Sequence, residues 1–412
     1  MNARATGPVV LVTDAGRGSS LAIIRSLGQA GWRVIAADSD AGSIGFRSRF
    51  ASKRLVVPSP SLRQADYVEE LSAAVQRERV DLVIPVTDAS MLPLARERAR
   101  LANACRVAMP EPEALLAVTD KRRTLELATE LGVPVPMSVL VETPEEARRA
   151  AAQFGWPVVL KPKSSRIAQE GGSIEAFEVS YASTLEEVSA RLAQLGGRCP
   201  ILVQEYCAGI GRGVGLLTHE GRPLAAFQHR RLHEVPITGG ASSLRMSEAL
   251  DPGLYAHSVR LLERLRWTGL ALVEFKDGPR GVRLMEINGR VWGSLPLAVM
   301  SGVDFPRLLA ELYLYGPPPA DTPPLTHYRI GVRARNLALD MVWFGSALTG
   351  RRRIPLVPAP SRSSAISELF GLLDPRCHLD IQSWSDPIPG LAELPRIFAQ
   401  LARKAREFVA SN

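Results

Sequence analysis

Leu270–Trp292 reads LALVEFKDGPRGVRLMEINGRVW. Two β-rich runs, Leu270–Lys276 and Val282–Ile287, flank a Gly/Pro turn at Asp277–Gly281, which is a hairpin signal. Side chains alternate faces along a strand, so Leu284, Glu286 and Asn288 are expected on one face. With the hairpin centred near Pro279, Glu274 falls opposite Leu284 and diagonal to Glu286. Two carboxylates and an amide oxygen would then converge, with Arg290 just beyond. Oxygen ligands of this kind suit Mg²⁺ or Mn²⁺, and Mg²⁺ is commonly held by one or two carboxylates plus substrate phosphates. A one-residue slip would send Glu274 to the other face and leave a surface hairpin of solvated acids, the competing reading.

Moving outward, Asp251–Arg266 reads as an amphipathic helix and Pro223–His233 as a basic strand. Ile201–Tyr206 is a strand entering Cys207–Gly213, whose glycines would let backbone approach a planar ligand. Val158–Lys163 (VVLKPK) is a strand ending in lysines before a Ser/Gly-rich loop containing Gly171 and Gly172, a pattern that suits phosphate contact or a plain polar hairpin. Val118-Thr119-Asp120-Lys121 opens a helix that runs through Glu130 and stops at Gly132, with Pro134 and Pro136 beyond. Downstream, Tyr315–Pro319 signals a linker, and a basic helix is expected over Leu391–Val409.

The first third is α/β. Strand Val9–Thr13, the turn Asp14–Ser20, helix Leu21–Ala30, strand Arg33–Ala37 and Asp38 open a doubly wound domain. The turn lacks the third glycine of a dinucleotide fingerprint, so a nicotinamide site with Asp38 on a ribose competes with a tight turn in which Ser19 or Ser20 caps the helix. Leu82–Pro85 ends in Val86–Ser90, where Thr87, Asp88 and Ser90 stand either as substrate contacts or as a turn and N-cap.

At 412 residues, 46% hydrophobic and 22% charged, the chain has the composition of a globular protein of two or three domains. No apolar run approaches the roughly 18 residues of a membrane span. Four scattered cysteines without a C-x-x-C pair indicate neither zinc nor a disulfide framework and fit a reducing cytoplasm. The net charge of +8 favours anionic ligands, yet the basic residues are dispersed, so nucleotides fit better than nucleic acid.

Taken in order over roughly residues 7–315, Asp120-Lys121, VVLKP at 158–162, VQEY at 203–206, VEF at 273–275 and EINGR at 286–290 resemble the ATP-grasp superfamily of carboxylate–amine ligases. The resemblance implies an N-terminal pre-ATP-grasp α/β domain (1–118) and a two-lobed ATP-grasp domain (119–315, lobes about 119–203 and 204–315). It leaves 316–412 as a C-terminal extension of open role. It implies Lys121 and Lys161 on the ATP phosphates, Gly171-Gly172 as a flap, and Glu205, Tyr206 and Cys207 as an adenine-reading hinge. It further implies Arg231 against the γ-phosphate, Glu274, Glu286 and Asn288 as magnesium ligands, and Arg290 on the carboxylate and its acyl phosphate. Two departures stand out. Gly211-Arg212-Gly213 replaces the usual ribose acid, and Gly289 is expected to loosen the loop carrying Arg290.

The implied chemistry transfers a phosphoryl group from ATP to a carboxylate and then joins the acyl group to an amine, releasing ADP and phosphate. The partners would be a small carboxylate and an amine, an amino acid being the commonest, with a homodimer an open assembly. The rivals are a carboxylase or carbamoyl-type enzyme of the same fold and a nucleotide-binding regulatory protein without turnover. No Ser-His-Asp or Cys-His system is evident, and His229, His233 and His257 read as structural or surface residues more readily than as bases.

Overall fold

The computed structural model describes residues 7–162, 166–168, 174–176, 179–195, 200–237, 239–349, 360–371, 374 and 376–410. The N-terminal alternation of apolar runs and amphipathic helices builds a five-stranded parallel sheet. Its order is Lys53–Val56, Arg33–Asp38, Val9–Val12, Leu82–Ile84, Arg106–Val107, so the chain reverses direction beside the first strand. Val10–Val12 and Leu82–Ile84 are fully buried, as expected for strands covered on both faces by helices. The first helix, Gly18–Gln29, starts earlier than expected, and no side chain caps it. Ser20 instead donates to the Thr13 carbonyl, and Ser19 is buried within the helix, so neither serine is the cap.

A four-stranded antiparallel sheet follows, ordered Ser180–Ala182, Val158–Pro162, Ile201–Glu205, Ser138–Val141. One face packs on helices Pro144–Phe154 and Leu185–Leu195 through Ala147, Ala151 and Val188. The largest sheet has seven strands: Gly281–Asn288, Gly269–Gly278, Ile210–His219, Arg222–Val235, Ala241–Ser247, Arg333–Arg335 and Cys377–Leu379. Its last two strands come from beyond residue 316, so the C-terminal segment completes this sheet. Arg245 and Arg335, both fully buried, pair with Asp380 and Asp340 and fix that edge. Removing one partner would leave a buried charge uncompensated, which is the costly way to break such a pair.

One apolar core runs from the first helix (Ile23, Ile24, Leu27) to the hairpin strand (Leu270, Leu272) by way of Trp292, Leu295 and Phe305. The parallel sheet and the seven-stranded sheet therefore share a core, and this presents the Thr87–Ser90 loop to the EINGR strand. Among the described residues no helix is long and apolar enough to cross a membrane.

Candidate functional site

The hairpin forms, but in a different register from the one its sequence suggests. Gly278 faces Gly281 and Phe275 faces Leu284, leaving a two-residue turn at Pro279-Arg280. Continued unbroken, that register would oppose Glu274 to Met285 and put Glu286 on the other face. A bulge at Met285 adds one residue, so Glu274 faces Glu286 and Leu272 faces Asn288. The same bulge reverses the parity of Leu284. It is buried with Val273 and Phe275 on the opposite face, not beside Glu286 as alternation alone requires.

The neighbouring strand, Ile210–His219, places Gly211, Gly213 and Gly215 on this same face. A Cβ at Gly211 would lie 2.8 Å from Arg231 Cδ, one at Gly213 2.6 Å from His229 Cε1, and one at Gly215 2.7 Å from the Trp292 ring. These glycines make room for the protein's own side chains rather than for a planar ligand. Across that floor Arg231 reaches Glu274 at 2.5 Å and Glu234 at 3.1 Å, and it donates to the Gly240 carbonyl at 3.0 Å. Lys276 closes the chain of charges on Glu234 at 2.8 Å.

Lys161 lies in strand Val158–Pro162 and Lys121 is the first residue of helix Lys121–Glu130, whose Asp120 cap accepts from the Arg122 and Arg123 amides. Both lysines are about 9% exposed. Burial lowers the pKa of Lys161, against the opposing pull of Glu286. Burial works to raise Glu286, but Lys121 and Lys161, helped by the Asn288 amide at 3.2 Å and by Arg231, outweigh it and hold the carboxyl below its usual range. Glu274 goes the other way, since burial and the facing Glu286 raise it in spite of Arg231. Burial and the facing carboxylate thus outweigh Arg231 at Glu274. A divalent cation fits this donor set of Glu274, Glu286 and Asn288. Among the described residues no group of three or more His, Cys, Asp or Glu side chains is arranged to hold one, so phosphate oxygens would have to complete its shell.

Glu205 is buried between the Met137 amide (3.1 Å) and Arg280 of the hairpin turn (2.9 Å), and Arg280 also donates to the Tyr206 carbonyl at 3.3 Å. Its side chain thus ties the four-stranded sheet to the hairpin. Cys207 is half-buried, and burial raises its thiol pKa. Gly171 and Gly172 lie outside the described residues.

Arg290 is held on three sides. Its Nε donates to Asp88 (2.9 Å), one terminal nitrogen to the Val291 carbonyl (2.9 Å) and the other to Asn288 (3.3 Å). Gly289 does not loosen this loop. A Cβ there would sit 2.3 Å from the Trp267 ring, so glycine lets the strand end pack tightly. Arg290, Glu286, Asn288 and Lys121 line one cavity of about 410 Å³, closed on its far side by helix Asp88–Arg96. Asp88 contacts the site's arginine, whereas Thr87 and Ser90 are spent on Asp14 and on capping that helix. Asp38 accepts from the Gly16 amide and Ser43, which occupies the carboxylate a ribose would need. The Asp88–Arg290 and Arg231–Glu234–Lys276 contacts carry no sequence signal, because they join residues far apart in the chain or across a bulge.

The three histidines are structural in character. His233 pairs with Asp340 at 2.8 Å and stacks on Trp343, and His257 lies in helix Pro252–Arg264. His229 is buried against Ser294, and burial, then Arg231 and Arg245, push its pKa down to about 3. An unfolded imidazole titrates near 6.5, so between those values the unfolded chain binds the extra proton and stability falls as pH drops. The urea midpoint should therefore decrease from pH 7 to pH 5, and His229→Gln should shrink that decrease. An equal decrease in both proteins would assign the acid sensitivity elsewhere.

Residues 198–336 match the family described as ATP-grasp in the biosynthetic pathway with Ter operon. The chain is 26% identical over 258 residues to the carbamoyl phosphate synthase large chain of Gemmatimonas aurantiaca, covering 60% of this chain and 23% of that one. It thus spans about a quarter of the length of the curated relatives it matches first. Biotin carboxylase from Campylobacter jejuni superposes with a TM-score of 0.61 at 15% identity, covering 79% of this chain and 74% of that one. L-amino acid ligase from Bacillus licheniformis superposes with a TM-score of 0.57 at 12% identity, covering 76% and 75%. Identities this low speak to fold alone. Residues 198–336 are thus similar to an ATP-grasp family, and the chain shares its fold with these ATP-grasp enzymes.

Proposed function

We propose that this protein is an ATP-dependent ligase that joins a small carboxylate to an amine through an acyl phosphate, releasing ADP and phosphate. The observation that carries the reading is the bulge-set opposition of Glu274 and Glu286 beneath two buried lysines, with Arg290 in the same cavity. Lys121 and Lys161 hold the phosphates of ATP, and the Glu205–Cys207 backbone borders its adenine. Arg231 supplies positive charge beside Glu274 and toward the γ-phosphate. Mg²⁺, held by Glu274, Glu286 and Asn288, would supply charge neutralisation and alignment of the phosphates. Arg290 orients the acid so that a carboxylate oxygen attacks the γ-phosphorus as the bond to ADP breaks. The amine nitrogen then attacks the acyl carbon, phosphate leaves and the nitrogen loses a proton. Such transfer needs positioning and charge more than covalent help from the protein.

In this reading residues 1–118 flank the acid site, 119–315 bind the nucleotide, and 316–412 brace the large sheet. The location is cytoplasmic. A carboxylase or carbamoyl-type activity is the second reading, favoured by the likeness to biotin carboxylase and to the carbamoyl phosphate synthase large chain. Incubation with ATP, Mg²⁺ and a metabolite extract, followed by mass spectrometry, should show a new amide and ADP release that needs both acid and amine. ADP release with bicarbonate alone would favour the second reading. ATP binding with no release under any condition would leave a regulatory binder. In the same assay Lys161→Ala should weaken ATP far more than adenosine, since the lysine is assigned to phosphate. Equal losses by calorimetry would make Lys161 a structural residue.

A further inference from the structure

The cavity beside Arg290 sets apolar side chains among its charged ones. One side is helix Asp88–Arg96, where Asp88, Leu92 and Arg96 share a face at i, i+4 and i+8, so Leu92 puts hydrocarbon one turn from the Asp88 that holds Arg290. Leu116, Val179 and Met285 add apolar surface to the lining. Leu116 is 55% exposed and Val179 43%, large apolar side chains left uncovered at the rim of a concave site. Scattered exposed hydrophobics need no explanation, but a set lining one cavity marks an interaction surface. At about 410 Å³ the space lies within the roughly 300–1,000 Å³ range of small-molecule sites, which combine apolar walls with a few placed polar groups. The placed group here is a guanidinium whose orientation Asp88, Asn288 and the Val291 carbonyl already fix.

We propose that this cavity takes a carboxylic acid with an apolar body, its carboxylate on Arg290 and its hydrocarbon against Leu92, Leu116 and Val179. The inference rests on the ligase reading and adds the class of acid. Calorimetry would use the full chain with Mg²⁺ and a non-hydrolysable ATP analogue, titrated with 3-phenylpropanoate, 4-methylpentanoate, glutarate and gluconate. The two apolar acids should bind at least ~10-fold more tightly than the two polar ones. Leu116→Gln, chosen because its exposure spares the fold, should weaken the apolar acids by roughly 5–10-fold and leave the ATP analogue unchanged. Polar acids binding as well as apolar ones, or Leu116→Gln changing neither, would overturn the assignment.

A parallel assay supplies ATP, each acid and hydroxylamine as the amine, and reads ADP. If the polar acids bind and release ADP, the ligase reading survives and the apolar pocket falls. If the apolar acids bind as expected but no acid releases ADP, the pocket stands and the ligase reading falls.

Discussion

Glu286→Gln should reduce Mg²⁺-dependent ATP turnover by at least about 10²–10³-fold, the scale of losing one preorganised charge contact. Its carboxylate is held below the usual range because Lys121 and Lys161 outweigh burial, so it is fully anionic at neutral pH. It faces Glu274 directly, and the pair is the anionic centre toward which two lysines and Arg231 are arranged. Glutamine keeps an oxygen for the Asn288 amide at nearly the same shape but removes the charge, so the cations are left facing one carboxylate instead of two. The fold should persist, with a melting temperature within a few degrees of the parent. Turnover within a few-fold of wild type on a folded variant would remove Glu286 from the metal assignment.

Arg290→Lys should leave ATP affinity near normal and cut amide formation by roughly 10²-fold, the scale seen on removing an oxyanion donor. A lysine preserves the charge but not the planar fork, and here the fork is anchored on Asp88, Asn288 and the Val291 carbonyl at once. An ammonium can satisfy those partners only by giving up the geometry that presents a pair of donors to a carboxylate. Burial works to lower the Arg290 pKa, but the Asp88 carboxylate outweighs it, so the native guanidinium stays charged throughout the working range. ATP affinity and amide yield are to be read on the same variant. Parallel loss of both would move Arg290 to the nucleotide site, and loss of neither would reduce it to a partner of Asp88.

Much of the architecture was legible in the chain itself, for local reasons. Apolar runs between amphipathic helices specify a parallel sheet because such strands are buried on both faces, and Val10–Val12 and Leu82–Ile84 follow that rule. The turn at Pro279-Arg280 follows from the glycines and proline beside it, and the acids, lysines and arginine of the site could be listed in order from short motifs. Other local readings failed because backbone geometry intervened. The periodicity of two assigns Leu284 and Glu286 to one face, and the bulge at Met285 separates them while bringing Glu274 and Glu286 together. A residue inserted into one strand of a ladder leaves no trace in side-chain type, so register is settled only when both strands are paired.

The rest belongs to long-range packing. Gly289 serves close approach because Trp267, distant in sequence, lies where its Cβ would be. Arg290 meets Asp88 across 202 residues because the parallel sheet and the hairpin sheet share one apolar core. The segment beyond residue 316 adds two strands to the large sheet, where Arg245, buried on the neighbouring strand, finds Asp380 of that segment. The residue types at the site, and so the chemistry open to it, were determined by the sequence alone. Which of those residues face one another was decided by the tertiary structure, since burial of a common core sets distances that no local pattern encodes.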